Sequence, residues 1–129
     1  MPAASAINAI IVDDQLTMRA LIRSTLQQMG VSNVRDAGDG EEALVRLAER
    51  PANLIISDYN MPKLDGLGLL RAVRANPNTQ KAAFIMLTGR ADKDLVQRAA
   101  QFGANNYLVK PFTLMSLKEK IEQVFGVLT

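Results

Sequence analysis

The sequence has 129 residues and a formal net charge of +2, and 48% of its residues are hydrophobic. A chain of this length and composition can bury the core of one compact domain, whereas its basic residues are too dispersed to predict a nucleic-acid-binding surface. Cysteine and histidine are absent, which excludes disulfides, thiolate metal sites and an imidazole base supplied by this chain.

The apolar runs are all too short to span a bilayer, and residues 1–6 lack the basic start and long apolar stretch of a secretion signal. The sequence therefore predicts a cytoplasmic protein that binds neither a membrane nor nucleic acid. We expect a monomer with a single domain over residues 1–129, in which residues 1–6 form a flexible N-terminus.

The first two strand–helix units occupy the N-terminal part of the chain. An apolar run over residues 7–12 predicts a buried strand, and apolar residues at helical spacing over residues 16–29 predict a helix that Gly30 ends. Val34 opens a weaker second strand. Asp39 then has the position and chemistry of an N-cap for a second helix.

Three more units continue the same alternation. The apolar runs that predict their strands cover residues 54–57, 83–87 and 107–109. The helices that follow are predicted to begin after the Asp65-Gly66 turn, at the cap Asp92 and at the cap Thr113. Five alternating units predict a doubly wound α/β fold, in which a parallel five-stranded sheet is covered by helices on both faces.

Polar side chains stand where the predicted strands end. Asp13 and Asp14 follow the first strand, Asp58 follows the third, Thr88 follows the fourth and Lys110 follows the fifth. The second strand contributes no such residue. This distribution fits the strand order 2-1-3-4-5, which leaves a ligand-binding crevice at the carboxyl ends of the central strands.

Three carboxylates that converge repel one another, so they must either raise a pKa or hold a cation. Oxygen ligands without histidine or cysteine select a hard ion, and a few carboxylates with room for water suit Mg2+ better than Ca2+. A hydroxyl from Thr88 and an ammonium from Lys110 would complete a site for phosphoryl transfer to Asp58. Each residue alone has a plainer interpretation, as a helix cap, a turn residue or a surface lysine, and their joint placement favours the site.

The sequence around these positions resembles the receiver domain of two-component response regulators. The segments that carry the resemblance are Ile11-Val12-Asp13-Asp14, Asp58-Tyr59-Asn60-Met61-Pro62 and Val109-Lys110-Pro111-Phe112-Thr113. The resemblance covers the whole chain and is greatest to stand-alone members that act in chemotaxis. It implies a flavodoxin-like (βα)5 fold.

The resemblance also implies a chemistry for each position. Asp58 would accept a phosphoryl group from the phosphohistidine of a histidine kinase or a histidine phosphotransfer domain. Asp13, Asp14, Asp58 and the backbone carbonyl of Asn60 would hold Mg2+ or Mn2+. Lys110 would pair with oxygens of the phosphoryl group.

A conformational switch is implied as well. Thr88 would move toward the attached phosphoryl group, and Tyr107 would turn inward with it. This movement would reshape the face made by the fourth helix, the fifth strand and the fifth helix, which is the output surface in the family. The resemblance further implies a cis peptide between Lys110 and Pro111.

The expected function is that of a stand-alone phosphoacceptor switch that binds a downstream protein, with a flagellar motor switch protein as the favoured target. A phosphate sink, a phosphorelay shuttle and an adaptor for another regulator remain open alternatives. We do not expect a turnover enzyme, because phosphorylation would be self-catalysed and autodephosphorylation slow.

Two other classes of protein are weaker alternatives. An aspartate-nucleophile phosphatase of the haloacid dehalogenase type carries a second aspartate two residues after the nucleophile, where this chain has Asn60, which cannot titrate. A flavin or nucleotide binder needs an anion-binding loop after the first strand, where Asp13-Asp14-Gln15 would repel phosphate.

Four further residues receive peripheral roles. We hypothesise that Tyr59 and Arg90 tune the access of water to the phosphoryl group. Arg19 and Arg23 lie four residues apart on one face of the first helix, which is predicted to be a solvated surface, with contact to a kinase as the alternative.

Overall fold

The computed structural model describes residues 3–89 and 93–128. Its five strands are β1 (Asn8–Val12), β2 (Asn33–Ala37), β3 (Leu54–Asp58), β4 (Ala83–Thr88) and β5 (Asn106–Val109). Its five α-helices are α1 (Leu16–Gln28), α2 (Gly40–Glu49), α3 (Gly66–Ala75), α4 (Lys93–Gln101) and α5 (Leu114–Phe125). Each predicted element is present, and the bounds differ from the prediction by a few residues at most.

The strands form one parallel sheet in the order β2-β1-β3-β4-β5, which confirms the predicted topology. All residues of β3 and β4 are buried, as expected for central strands covered on both faces. Alternate residues of the strands point to opposite faces of the sheet and belong to two separate hydrophobic cores. One core packs against α2, α3 and α4, and the other packs against α1 and α5. Among the described residues, no helix is long and apolar enough to cross a membrane.

Of the N-terminal segment over residues 1–6, which is predicted to be flexible, the structure describes residues 3–6. Residues Ala4–Ala6 form a 3-10 helix, and Ala4 is only 3% exposed. The methyl group of Ala4 belongs to the core on the α1 and α5 side of the sheet, together with Ile7 and Val31. Burial of this small apolar side chain is the physical reason why the chain is packed earlier than its composition suggests.

Two of the predicted helix caps are present in the structure, and a third cap is present that the sequence did not predict. The Asp39 carboxylate accepts a hydrogen bond from the Glu42 N–H at 2.8 Å, and Thr113 caps α5 in a reciprocal capping box with Ser116. Asp65, which the sequence predicts only as part of a turn, caps α3 by accepting from the Gly68 N–H at 2.8 Å. The predicted cap Asp92 lies outside the described residues.

One arginine ties the end of α3 to two loops on the amino side of the sheet. The guanidinium of Arg74 donates to the carbonyl oxygens of Ala82 at 2.6 Å, Gln80 at 3.0 Å and Gly103 at 2.7 and 3.0 Å. It also reaches the Asn105 side-chain oxygen at 3.0 Å. Partial burial lowers the pKa of Arg74 from its usual range, but the carbonyl oxygens around it compensate the charge.

Arg74→Met is expected to lower the free energy of unfolding by about 2–3 kcal/mol, because several carbonyl oxygens lose a charged donor at once. Urea unfolding followed by circular dichroism measures the change. Arg71→Met is the matched control on the same helix, since Arg71 contacts only the face of the Phe102 ring at 4.9 Å among its described interactions, worth about 0.5–1 kcal/mol. Equal losses in the two variants would contradict this ranking.

Candidate functional site

The three predicted carboxylates meet at the carboxyl edge of the sheet. Oxygens of Asp13, Asp14 and Asp58 lie within 4.8 Å of one another. Adjacent parallel strands bring them together, because β1 ends just before Asp13 and its neighbour β3 ends at Asp58. Asp13 is fully buried, Asp58 is 8% exposed and Asp14 is exposed to solvent. The trio is therefore a pocket that opens to solvent on the side of Asp14.

Lys110 supplies the positive charge in this pocket. Its ammonium lies 3.0 Å from an oxygen of Asp13 and 3.2 Å from an oxygen of Asp58. The backbone N–H of Lys110 donates to the carbonyl oxygen of Thr88 at 2.8 Å, which fixes the lysine to the end of β4. The Lys110-Pro111 peptide is cis, as the family resemblance implied.

Glycine allows α3 to start directly against the phosphoacceptor candidate. A Cβ on Gly66 would lie 2.6 Å from the carbonyl oxygen of Asp58 and 2.9 Å from the Cα of Tyr59. The Gly66 N–H donates to the Tyr59 carbonyl at 2.8 Å. Any larger residue at this position would push the end of β3 away from α3 and so displace Asp58.

Burial and the neighbouring charges shift the pKa of Asp58 in opposite directions. Burial raises the pKa of the Asp58 carboxyl above its ordinary value of 3.8, the nearby Lys110 ammonium acts to lower it, and the Asp13 carboxylate acts to raise it. The pKa of Lys110 is raised above 10.5, because its bonds to Asp13 and Asp58 outweigh the effect of burial. One ammonium thus compensates only part of the charge of three carboxylates, and a cation would compensate the rest.

The raised pKa of Asp58 predicts a pH dependence of stability. Because the folded protein binds this proton more tightly than the unfolded chain, the Asp58 contribution to the free energy of unfolding falls as pH rises from about 3.8 through the raised pKa. Asp58→Asn removes this loss, so the variant is expected to gain stability relative to the parent protein across this interval. Lys110 does not interfere, since its contribution is lost only as pH rises through a pKa above 10.5.

Urea unfolding in the presence of a chelator, repeated from acid to neutral pH, tests this expectation. A stability difference between the two proteins that stays constant with pH would contradict the assignment of the proton to Asp58.

A polar cleft of about 410 Å3 adjoins the carboxylates on the side of α4. Its walls include Tyr59, Asn60 and Thr88. Thr88 is 3% exposed, whereas Asn60 is exposed and follows Asp58 by two residues. The structure therefore places Thr88, Tyr59 and Asn60 beside the site, as predicted, while the predicted modulator Arg90 lies outside the described residues.

Tyr107 lies apart from the carboxylates, at the start of β5. Its side chain is 36% exposed, and the ammonium of Lys120 lies 5.0 Å from the centre of its ring. Tyr107 also lines an apolar groove of about 240 Å3 with residues of α4, among them Val96 and Ala100. In this structure the predicted switch aromatic is on the outer face, and its inward turn remains a prediction.

The prediction of a solvated face for Arg19 and Arg23 is wrong for Arg19, which is mostly covered, and the alternative of a contact with a kinase remains a prediction. Arg19 is 18% exposed, and both arginines pair with Asp36 on β2, at 3.2 and 3.5 Å. Arg19 also donates to the backbone carbonyl of Asp13, and Arg23 to that of Val34. The spacing of the two arginines along one helix could not predict these contacts, because the partners lie on β2 and in the loop between β1 and α1.

A doubly wound sheet with three carboxylates and a lysine at its carboxyl edge defines the receiver class of signalling domains. The chain belongs to the response regulator receiver family, since the family profile described as "Response regulator receiver domain" matches residues 9–122. Within that family it is a CheY-like receiver: it is 56% identical over 128 residues to the probable chemotaxis protein CheY of Rhizobium etli, covering 99% of each chain.

Solved structures agree with this assignment. A chain of the CheX–CheY–BeF3–Mg2+ complex from Borrelia burgdorferi superimposes with a TM-score of 0.87 at 26% identity, covering 92% of this chain and 89% of that one. The receiver domain of a sensor histidine kinase from Pseudomonas aeruginosa, with a magnesium ion coordinated in its active site cleft, gives a TM-score of 0.83 at 27% identity over 94% and 98% of the two chains.

Proposed function

We propose that this protein is a phosphoacceptor switch of a two-component system, in which Asp58 takes a phosphoryl group from a partner's phosphohistidine. The observation that carries the proposal is the convergence of three carboxylates on one lysine, with Lys110 at 3.0 and 3.2 Å from Asp13 and Asp58. The pocket opens at Asp14, so a donor group can reach it from solvent.

The donor set fits Mg2+. Asp13, Asp14 and Asp58 offer carboxylate oxygens close enough to share one ion, and hard oxygen ligands are the ones that Mg2+ prefers. The backbone carbonyl of Asn60 is proposed as a further ligand, because Asn60 lines the adjoining cleft. When bound, the ion would neutralise oxygens of the transferring group.

The chemistry at Asp58 is a direct transfer. One carboxylate oxygen of Asp58 attacks phosphorus, the bond from phosphorus to the donor imidazole nitrogen breaks, and the imidazole leaves with that electron pair and takes a proton from water. Lys110 is already beside Asp58 and donates to the new phosphoryl oxygens, where the charge spreads. Thr88 is buried at the edge of the same cleft and donates once the group is attached.

The proposed outcome is a switch rather than turnover. Asn60 occupies the position where an aspartate phosphatase has its general acid and base, and an amide cannot titrate. Autodephosphorylation should therefore be slow, with Tyr59 and Arg90 modulating the access of water. A steady hydrolysis of aryl phosphates would favour the phosphatase, and tight binding of flavin mononucleotide would favour a nucleotide-binding protein.

Output is proposed to occur by binding of a downstream protein, with a role in chemotaxis. The apolar groove between α4 and β5, which Tyr107 and Val96 line, is the candidate surface. A flagellar motor switch protein is the favoured target on the basis of similarity to CheY. A phosphate sink, a phosphorelay shuttle and an adaptor would use the same pocket and differ in the fate of the phosphoryl group or in the protein that is bound.

Incubation of the purified protein with acetyl phosphate and Mg2+ tests the proposal. We expect intact mass spectrometry to show one labile phosphoryl adduct per chain, and a chelator to prevent its formation. An absence of adduct with Mg2+ present would overturn the proposed function. A capture experiment with phosphorylated and unphosphorylated protein as bait then separates the motor regulator, which gains a partner on phosphorylation, from a sink, which gains none.

A further inference from the structure

Arg19 makes a contact with the acidic site that does not involve any side-chain oxygen of the trio. Its guanidinium Nη1 donates to the backbone carbonyl oxygen of Asp13 at 2.6 Å, and its Nε donates to Asp36 at 3.2 Å. The side chain is only 18% exposed. Arg19 is therefore fixed at both ends of its planar fork, with Asp36 on β2 as the anchor.

The carbonyl that Arg19 holds belongs to the peptide unit that joins Asp13 to Asp14. The rest of Asp13 is already fixed, because its carboxylate accepts from Lys110 and from the Gln15 N–H, and its own N–H donates to Ala37. Asp14 is exposed. The orientation of the peptide before Asp14, together with the side-chain torsions of Asp14, sets where this exposed carboxylate points.

We propose that Arg19 is a positioning residue for the metal site, holding the Asp13–Asp14 peptide so that the Asp14 carboxylate faces the other two. This inference rests on the proposed Mg2+ site. A carboxylate that is already oriented loses less conformational freedom when it binds an ion. Groups of this kind, one shell outside the ligands, typically change metal affinity by about 10–100-fold.

The positive charge of Arg19 and its positioning contact have opposite effects on Mg2+ affinity. The direction in which the affinity changes on substitution therefore shows which of the two effects is larger. A guanidinium near three carboxylates disfavours a divalent cation, so loss of its charge alone would tighten Mg2+ binding. Loss of the positioning contact would weaken it. Asp36 pairs with both Arg19 and Arg23 and offsets part of their charge, so the positioning effect should prevail.

The chain offers a matched control for this experiment. Arg23 is on the same helix, pairs with the same Asp36 at 3.5 Å and donates to a backbone carbonyl, that of Val34 at 2.8 Å. The two substitutions Arg19→Met and Arg23→Met therefore remove the same kinds of bond, and among the described contacts only the first touches the Asp13–Asp14 peptide.

Calorimetric titration of the unphosphorylated protein with Mg2+ gives the first readout. We expect Arg19→Met to raise the dissociation constant roughly tenfold or more, and Arg23→Met to leave it within about twofold. The free energy of unfolding, measured in urea, should fall by similar amounts in the two variants. Equal affinities in the two variants, or tighter binding in Arg19→Met, would overturn the proposal.

Nuclear magnetic relaxation of the Asp14 amide in the metal-free protein gives a second readout. Its amplitude of motion should rise in Arg19→Met and not in Arg23→Met, and unchanged motion would also count against the inference. Arg19→Lys keeps the charge but not the two-point fork, and it provides the same measurements if the methionine variant does not fold. Failure of the parent protein to bind Mg2+ would refute the proposed function, while the Asp14 amide would still decide the role of Arg19.

Discussion

Asp58→Asn is expected to abolish covalent phosphorylation completely. The amide that replaces the carboxylate has the same shape but lacks a nucleophilic oxygen anion, and it removes one of the three charges proposed to hold Mg2+. Neither Asp13 nor Asp14 should substitute, because Asp13 is fully buried and hydrogen-bonded to Lys110 and Gln15. Among the described contacts, Asp14 has no ion pair with Lys110, the group proposed to receive the charge of the phosphoryl oxygens. Intact mass spectrometry after treatment with acetyl phosphate and Mg2+ measures the result.

Asp65→Asn is the control for this substitution. Asp65 lies in the loop that follows Asp58 and caps α3 by accepting from the Gly68 N–H at 2.8 Å. Asparagine caps a helix about as well as aspartate, so this variant should be phosphorylated like the parent protein. A labile adduct that persists in Asp58→Asn would place the phosphoacceptor elsewhere and refute the mechanism.

The Asp58→Asn variant should also be the more stable protein without metal at neutral pH. The carboxylate is held where burial raises its pKa and a second carboxylate repels it. This arrangement costs folding free energy and would favour the proposed binding of a cation and a phosphoryl group. Stability and reactivity are thus opposed at this one position, as is common for groups whose pKa is perturbed at functional sites.

The sequence was sufficient for the sheet and for the residues at its carboxyl edge. Continuous apolar runs, without alternation of polar residues, identify β3 and β4. In a parallel sheet the residues at the carboxyl ends of the strands lie at the same edge, so Asp58, Thr88 and Lys110 could be placed together. Their convergence follows from strand order alone, without knowledge of any side-chain contact.

Contacts between distant segments could not be predicted in this way. Arg19 is six residues from Asp13 and 17 from Asp36, and a helical pattern shows only the face on which an arginine lies, not the carbonyl it reaches. Gly66 presents the same difficulty, because its need for a missing Cβ arises from the closeness of α3 to the end of β3. The residues that orient the site were therefore missed, whereas the residues proposed to react were found.

Thr88→Ala is expected to separate phosphorylation from the output change. Asp58 and Lys110 are unaltered in this variant, so it should still acquire one phosphoryl adduct. The hydroxyl proposed to donate to the new phosphoryl oxygens is lost, and with it the differential stabilisation that a switch requires, about 5.5 kcal/mol for a shift from 1:99 to 99:1. Charge-assisted hydrogen bonds to a phosphoryl group can supply energy of that order.

The resonances of Tyr107 report this loss without any knowledge of the downstream partner. Tyr107 is 36% exposed, so the predicted inward turn on phosphorylation should shift its ring and amide signals strongly in the parent protein and only slightly in Thr88→Ala. Thr25→Ala is the matched control, since Thr25 is also a buried threonine but donates to Leu21 within α1; it should switch normally. A Thr88→Ala protein whose Tyr107 signals shift as far as those of the parent would show that the hydroxyl does not couple Asp58 to the output face, because the phosphoryl group would then act through Lys110 alone.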